Sequence, residues 1–229
     1  MGNQYLTDSL LFPFVERFME DLEPSAASTA MFRTVASNHG IPAVRSSVAR
    51  LLSSLTALSR PRSILEIGTG AGFSTHALME GADRKTLERF VTLEFNHKRL
   101  EVARQMAERL GWANRVQMLH TNALEFMACN RDDFDFIFVD AIKRHYPIYM
   151  EYIRRLKWKV AVFDNVLYRG LVSMPRAEVS PALRSSLQGM ENFLRQMLED
   201  PTVQATLIPA GDGILLMQNR HGQLRPENT

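Results

Sequence analysis

From residue 62 onward, short apolar runs alternate with helical segments, and this alternation limits the possible fold more than any other feature. The apolar runs predict strands at 63–67, 90–95, 115–119, 134–139, 159–163, 204–208 and 213–218. Helices are predicted after Ser74 and at about 97–110, 122–129, 146–156 and 181–199. Strands that alternate with helices predict a parallel, doubly wound α/β sheet with right-handed crossovers.

The last two predicted strands break this alternation. They flank the segment Pro209-Ala-Gly-Asp-Gly213, which is too short to contain a helix. Two strands joined this closely must run antiparallel as a hairpin. We therefore expect a seven-stranded, mostly parallel sheet that ends in an antiparallel C-terminal hairpin.

The first 60 residues are predicted to be helical. Apolar residues recur at helical spacing at 10–19 and again at 48–58, and Gly40-Ile-Pro42 lies between the two stretches. A chain of 229 residues can form one substantial core. We expect a single domain, in which residues 1–60 form a helical lid or dimerisation segment and residues 61–220 form the α/β core.

Composition excludes several classes of protein. A single cysteine, Cys129, excludes an internal disulfide framework and fits a reducing compartment, and we expect it to be buried. No apolar run approaches the roughly 20 residues that span a bilayer, so we expect no membrane partner and a cytoplasmic location. The net charge of +2 permits weak attraction to polyanions but does not indicate a dedicated nucleic-acid domain.

A glycine-rich turn follows the first predicted strand. Gly68, Gly70 and Gly72 allow the backbone to approach a ligand closely, and the next helix offers unpaired N–H groups. Glu94 ends the following strand, where nucleoside-binding folds place an acid on the ribose hydroxyls. The alternating glycines, Glu66 within the motif and the terminal hairpin favour S-adenosylmethionine, whereas NAD(P) prefers G-x-G-x-x-G. An NAD(P)-dependent oxidoreductase is the alternative.

Two later strands end in side chains that carry oxygen atoms. Asp140 follows the strand at 134–139 and precedes Lys143, and Asp164 and Asn165 follow the strand at 159–163. The carboxyl ends of parallel strands meet at one edge of a sheet. Carboxylate and amide oxygens suit Mg²⁺, Mn²⁺ or Ca²⁺ rather than zinc. The pattern predicts a divalent-cation site, beside which Lys143 could act as a general base if its pKa falls near the cation.

Four motifs together resemble those of the cation-dependent O-methyltransferases, which include catechol and caffeoyl-CoA O-methyltransferases and bacterial relatives. They are Glu66-Ile-Gly-Thr-Gly70, Phe136-Ile-Phe-Val-Asp140-Ala-Ile-Lys143, Asp164-Asn-Val-Leu-Tyr-Arg-Gly170 and Gly211-Asp-Gly213. The similarity extends over about residues 40–219. It implies that S-adenosylmethionine is the methyl donor, that Asp140, Asp164 and Asn165 bind Mg²⁺ or a similar ion, and that Lys143 is the catalytic base.

The resemblance also implies a set of donor contacts. They are Val44, Glu66, Gly68, Thr69, Gly70, Ser74, Glu94, Phe95, Asn122, Ala123 and Asp140. Tyr168 stands where relatives often carry a tryptophan against the acceptor, although it could equally be a core-edge aromatic. His145 could line the acceptor site or lie in a solvated loop. Many relatives have an acid where this chain has Ile142, and a Gly-Gly where it has Lys157-Trp158-Lys159.

The expected reaction is methyl transfer to a hydroxyl beside a second oxygen. A small, catechol-like aromatic is the plainest acceptor. The alternative is 5-hydroxyuridine in tRNA, whose hydroxyl and 4-carbonyl are also adjacent. A non-catalytic binding protein is a third possibility. Relatives commonly form dimers, so a homodimer is expected.

Overall fold

The computed structural model describes residues 27–221 together with Phe18 and Leu22. The helices are α1 Ala27–His39, α2 Ser46–Ser59, α3 Phe73–Gly81, α4 His97–Arg109, α5 Ala123–Cys129, α6 Tyr146–Ile153 and α7 Pro181–Glu199. The strands are β1 Ser63–Ile67, β2 Arg89–Glu94, β3 Gln117–His120, β4 Phe136–Val139, β5 Val160–Phe163, β6 Val203–Ile208 and β7 Ile214–Asn219. Apart from Phe18, the predicted helix at 10–19 lies outside the described residues.

The seven strands form one sheet in the order β3-β2-β1-β4-β5-β7-β6. Strands β1 to β5 pair in parallel, and β7 runs antiparallel to both β5 and β6. The predicted fold class is therefore confirmed, including the terminal hairpin. The chain winds outward from β1 in one direction and from β4 in the other, and the crevice at such a switch point is where doubly wound sheets bind ligands.

Both faces of the central strands are buried, because helices cover each side of the sheet. Alternate residues of β1 contribute to opposite faces: Ile64 belongs to the core under α2, α3 and α4, whereas Leu65 belongs to the core under α6 and α7. This period of two explains why the buried strands are continuous apolar runs in the sequence.

Every predicted strand from 63 to 218 is present, with boundaries that differ by at most two residues. The strand predicted from 134 begins at Phe136, because the backbone N–H of Phe134 bonds to Lys157 outside the sheet. The prediction that Cys129 is buried is wrong. It is exposed at the last position of α5, where Met127 is the buried residue. No helix in the described part of the chain is long and apolar enough to cross a membrane.

Candidate active site

The glycine turn after β1 packs directly against the chain that leaves β4. Gly68 has a φ of +106°, and a Cβ added there would lie 2.1 Å from the carbonyl oxygen of Asp140. The Gly68 N–H also donates to the carbonyl of Leu93 at the end of β2. The turn therefore joins the carboxyl ends of three neighbouring strands, and only glycine fits at position 68.

We expect Gly68→Ala to destabilise the protein by about 3 kcal/mol or more, because it combines an unfavourable φ with a backbone collision. Gly111→Ala is the matched control, since Gly111 has a φ of +75° but no atom within 4 Å of its added Cβ. The control should lose only about 1 kcal/mol. Urea unfolding of both variants measures the difference, and equal losses would contradict the close approach.

Glu94 is held at the end of β2 by two backbone groups. Its Oε2 accepts from the N–H of Gly70 at 3.0 Å, and its Oε1 accepts from the N–H of Asn96 at 2.9 Å. The side chain is almost fully buried, at 4% exposure, yet it lines a cavity. A carboxylate fixed in this way has lone pairs left to accept hydrogen bonds from a pair of hydroxyls.

A cavity of about 370 Å³ opens above the glycine turn. All predicted donor-contacting residues except Glu66 line it, namely Val44, Gly68, Thr69, Gly70, Ser74, Glu94, Phe95, Asn122, Ala123 and Asp140. We call it the donor cavity. Asn122 also caps α5 by accepting from the N–H of Leu124 at 2.9 Å. His145 lines this cavity, together with Arg99 and Tyr149, which the sequence did not indicate, and its role towards the acceptor stays a prediction.

Glu66 lies beneath the donor cavity and not in its wall. Its Oε2 accepts hydrogen bonds from the hydroxyls of Thr75 at 2.5 Å and Thr92 at 2.6 Å, and Thr92 also bonds to the hydroxyl of Thr69. Its Oε1 is buried and finds no partner among the described residues. Burial raises the pKa of Glu66 to about 7, against the lowering effect of the hydroxyl donors. Glu66 therefore supports the turn from below.

The raised pKa of Glu66 makes stability depend on pH. Between pH 4.5 and about 7 the folded protein holds a proton on this carboxyl that the unfolded chain has lost. The contribution of Glu66 to stability therefore falls as the pH rises through this window, by about 3 kcal/mol at most. Glu66→Gln should flatten this part of the profile, as measured by urea unfolding from pH 4.5 to 8. An unchanged slope would contradict the assignment.

A second cavity, of about 500 Å³, adjoins the first and shares Pro42, Ala43, Val44, Asp140 and Lys143 with it. It contains all three predicted metal ligands, because Asp140 follows β4 and Asp164 and Asn165 follow its parallel neighbour β5. We call it the acceptor cavity, after the site that the sequence predicts around these ligands.

Burial opposes the charged form of Asp164, which lines this cavity. Its side chain is only 1% exposed, and burial raises its pKa well above the ordinary range, with further contributions from the charges of Asp140 and Asp212. The N–H of Asn165, which donates to Asp164 Oδ1 at 2.6 Å, and the charge of Lys143 oppose this shift. A positive charge in the cavity would favour the charged form of Asp164.

Lys143 lies where the two cavities meet. It begins a 3-10 turn, Lys143–His145, and its Nζ donates to Asp140 Oδ1 at 2.8 Å. Both side chains are about a quarter exposed, at 25% and 26%. The amine is thus held beside a predicted metal ligand without being removed from solvent.

Tyr168 lines neither cavity. It packs partly buried against the core under α6 and α7, with a φ of +49°. The acceptor cavity instead receives Arg45, Arg169 and Asp212, none of which the sequence singled out as site residues. They lie on irregular connections, where no periodicity marks a side chain, although Asp212 belongs to the glycine-flanked motif of the terminal hairpin.

A doubly wound sheet with an antiparallel terminal hairpin and a nucleoside-sized cavity at its switch point defines a Rossmann-like methyltransferase. A family model described as O-methyltransferase matches residues 27–220. The chain therefore belongs to the O-methyltransferase family. It is an S-adenosylmethionine-dependent O-methyltransferase, similar to enzymes named for catechol and caffeoyl-CoA, and the oxidoreductase alternative is set aside.

Individual proteins agree with this assignment. A catechol O-methyltransferase of Mycobacterium tuberculosis is 32% identical over 86% of this chain and 88% of its own. Caffeoyl-CoA O-methyltransferase 2 of Petunia hybrida is 27% identical over 93% and 88%. The solved O-methyltransferase of Bacillus cereus, in complex with SAH, superposes with a TM-score of 0.77 at 29% identity, over 90% of this chain and 97% of that one.

Proposed function

We propose that this enzyme methylates one hydroxyl of a small, catechol-like aromatic with the help of a divalent cation, Mg²⁺ first and Mn²⁺ or Ca²⁺ as alternatives. The observation that supports this most is the shared wall of the two cavities. Asp140 and Lys143 line both the donor cavity and the cavity that holds the oxygen ligands. The relatives named for catechol and caffeoyl-CoA substrates agree with this acceptor class.

The residues present fit a hard cation. Asp140, Asp164 and Asn165 offer only oxygen donors, as Mg²⁺ and Ca²⁺ prefer. No group of three His, Cys, Asp or Glu side chains within residues 27–221 has a metal-binding arrangement of its own, and the proposed set has two carboxylates and an amide. A bound divalent cation would supply the positive charge that lowers the pKa of an acceptor hydroxyl.

The residues of the chain then have distinct tasks. The glycine turn and Glu94 would hold the donor, in the cavity that shares a wall with the predicted oxygen ligands. Lys143 Nζ, in its unprotonated form, accepts the proton of the acceptor hydroxyl. The oxygen forms its bond to the methyl carbon as the carbon–sulfur bond breaks, which yields the methyl ether and S-adenosylhomocysteine. Fixed positions for both substrates supply much of the rate, because they replace a chance encounter.

The test uses donor labelled in the methyl group and two acceptor pools, catechols and total tRNA from cells that lack the enzyme. Label should enter catechols with Mg²⁺, stop with a chelator and resume when Mg²⁺ is restored in excess. Methyl transfer that continues in the presence of the chelator would contradict the requirement for a divalent cation. Label found only in tRNA would replace the acceptor with the RNA alternative.

A further inference from the structure

One carboxylate of the acceptor cavity has no assigned role. Asp212 lies in the turn of the β6–β7 hairpin and lines the same cavity as Asp140, Asp164 and Asn165. Its Oδ1 is buried and has no hydrogen-bond partner among the described residues. A buried acceptor that is left unbonded costs free energy, so a ligand able to donate to it is favoured in this cavity.

The position of Asp212 is tightly fixed by its neighbours. A Cβ at Gly211 would lie 2.6 Å from Val48 Cγ2, and a Cβ at Gly213 would lie 2.5 Å from Leu167 Cγ. The backbone carbonyl of Asp212 also accepts from the N–H of Leu167 at 3.0 Å. The hairpin turn is therefore fastened to the loop that carries Asn165.

Two arginines lie near the carboxylate of Asp212. Arg45 Nε lies 3.9 Å from Oδ1, and Arg169 Nε lies 3.7 Å from Oδ2. Both distances exceed hydrogen-bond length, so neither of these nitrogens occupies a lone pair of the carboxylate. The carboxylate lines the same cavity as Asp140, Asp164 and Asn165, so its negative charge lies near the predicted ligands.

We propose that Asp212 is a positioning residue of the cation site. Its carboxylate accepts hydrogen bonds from the hydration shell of the ion and adds negative charge behind the ligands Asp140, Asp164 and Asn165. Mg²⁺ and similar ions keep several waters in proteins, and carboxylates beyond the direct ligands orient them. This inference rests on the proposed function, since it requires the cation.

The experiment measures Mn²⁺ binding directly, by titration calorimetry and by the loss of the free Mn²⁺ paramagnetic resonance signal. It uses the full-length chain without donor or acceptor. Asp212→Asn keeps the shape of the side chain and removes its charge. We expect Mn²⁺ affinity to fall about tenfold to a hundredfold. Calorimetric binding of S-adenosylhomocysteine should stay within about twofold of wild type, because Asp212 does not line the donor cavity.

Two variants separate the cation role from a role as an arginine anchor. If Asp212 served only to hold Arg169, Arg169→Gln would reproduce the loss of Mn²⁺ affinity. The proposal instead expects Arg169→Gln to bind Mn²⁺ at least as well as wild type, because a positive charge leaves the site. Asp83→Asn is the remote control, since Asp83 pairs with Arg60 away from both cavities.

The measured Mn²⁺ affinities decide whether Asp212 supports the cation site. Unchanged Mn²⁺ affinity in Asp212→Asn, or an equal loss in Arg169→Gln, would overturn the inference and leave the proposed function intact. The proposed cation site is checked independently: the wild-type protein should bind Mn²⁺, and Asp164→Asn should lose that binding. A wild-type protein that binds no Mn²⁺ would overturn both.

Discussion

Asp164→Asn should inactivate the enzyme and stabilise its metal-free fold at the same time. The predicted ligand is lost, and the contribution of a cation to a transition state is several kcal/mol, so kcat should fall about a hundredfold or more. The folded protein meanwhile loses a buried carboxylate whose charged form is opposed by burial and by Asp140 and Asp212. Asn can still accept the bond from the N–H of Asn165.

Thermal unfolding in the presence of a chelator measures the expected stabilisation of the metal-free fold. We expect a gain of about 1 kcal/mol, which raises Tm by about 2–4 °C for a chain of this size. Asp83→Asn provides the contrast, because its neighbours lower the pKa of Asp83 to about 2 and thus favour its charge. That control should keep full activity and gain no stability. An Asp164→Asn protein that is both active and less stable would refute the prediction that Asp164 is a metal ligand whose buried charge destabilises the metal-free fold.

Lys143→Met should lower kcat by about 10²- to 10⁴-fold, the range typical of a lost general base. Single-turnover transfer from labelled donor measures the chemical step itself. Binding of S-adenosylhomocysteine should persist, because the glycine turn and Glu94 are unchanged.

Lys143→Arg distinguishes a base from an ion pair. Arginine retains a cation that can bond to Asp140, as Nζ does at 2.8 Å, but it does not lose its proton in proteins. If Lys143 accepts the proton, the arginine variant should be nearly as slow as the methionine variant. Recovery of most of the activity with arginine would instead assign Lys143 an electrostatic role.

The sequence predicted those parts of the site that regular elements carry. Asp140 and Asp164 were recognisable because each ends a continuous apolar run, and parallel strands bring such ends together. Glu94 was recognisable for the same reason. The order and direction of the strands place these residues at one edge of the sheet, so their relative positions can be predicted without knowledge of side-chain packing.

The residues that the sequence misplaced or missed lie on irregular backbone. Tyr168 and Arg169 both adopt positive φ, at +49° and +56°, and in this loop it is Arg169 that lines the acceptor cavity. Arg45 and Asp212 form an ion pair although they are far apart in the sequence, so no local sequence pattern indicates their contact. The homodimer and the cytoplasmic location stay predictions.

The two cavities draw on different lengths of the polypeptide. Among residues 27–221, those that line the donor cavity lie between Pro42 and Tyr149, whereas the acceptor cavity also includes Gly211 and Asp212. During synthesis, the segments that hold the nucleoside leave the ribosome well before the final hairpin exists to brace the loop after β5. The residues of the donor cavity are therefore synthesised before those that complete the acceptor cavity.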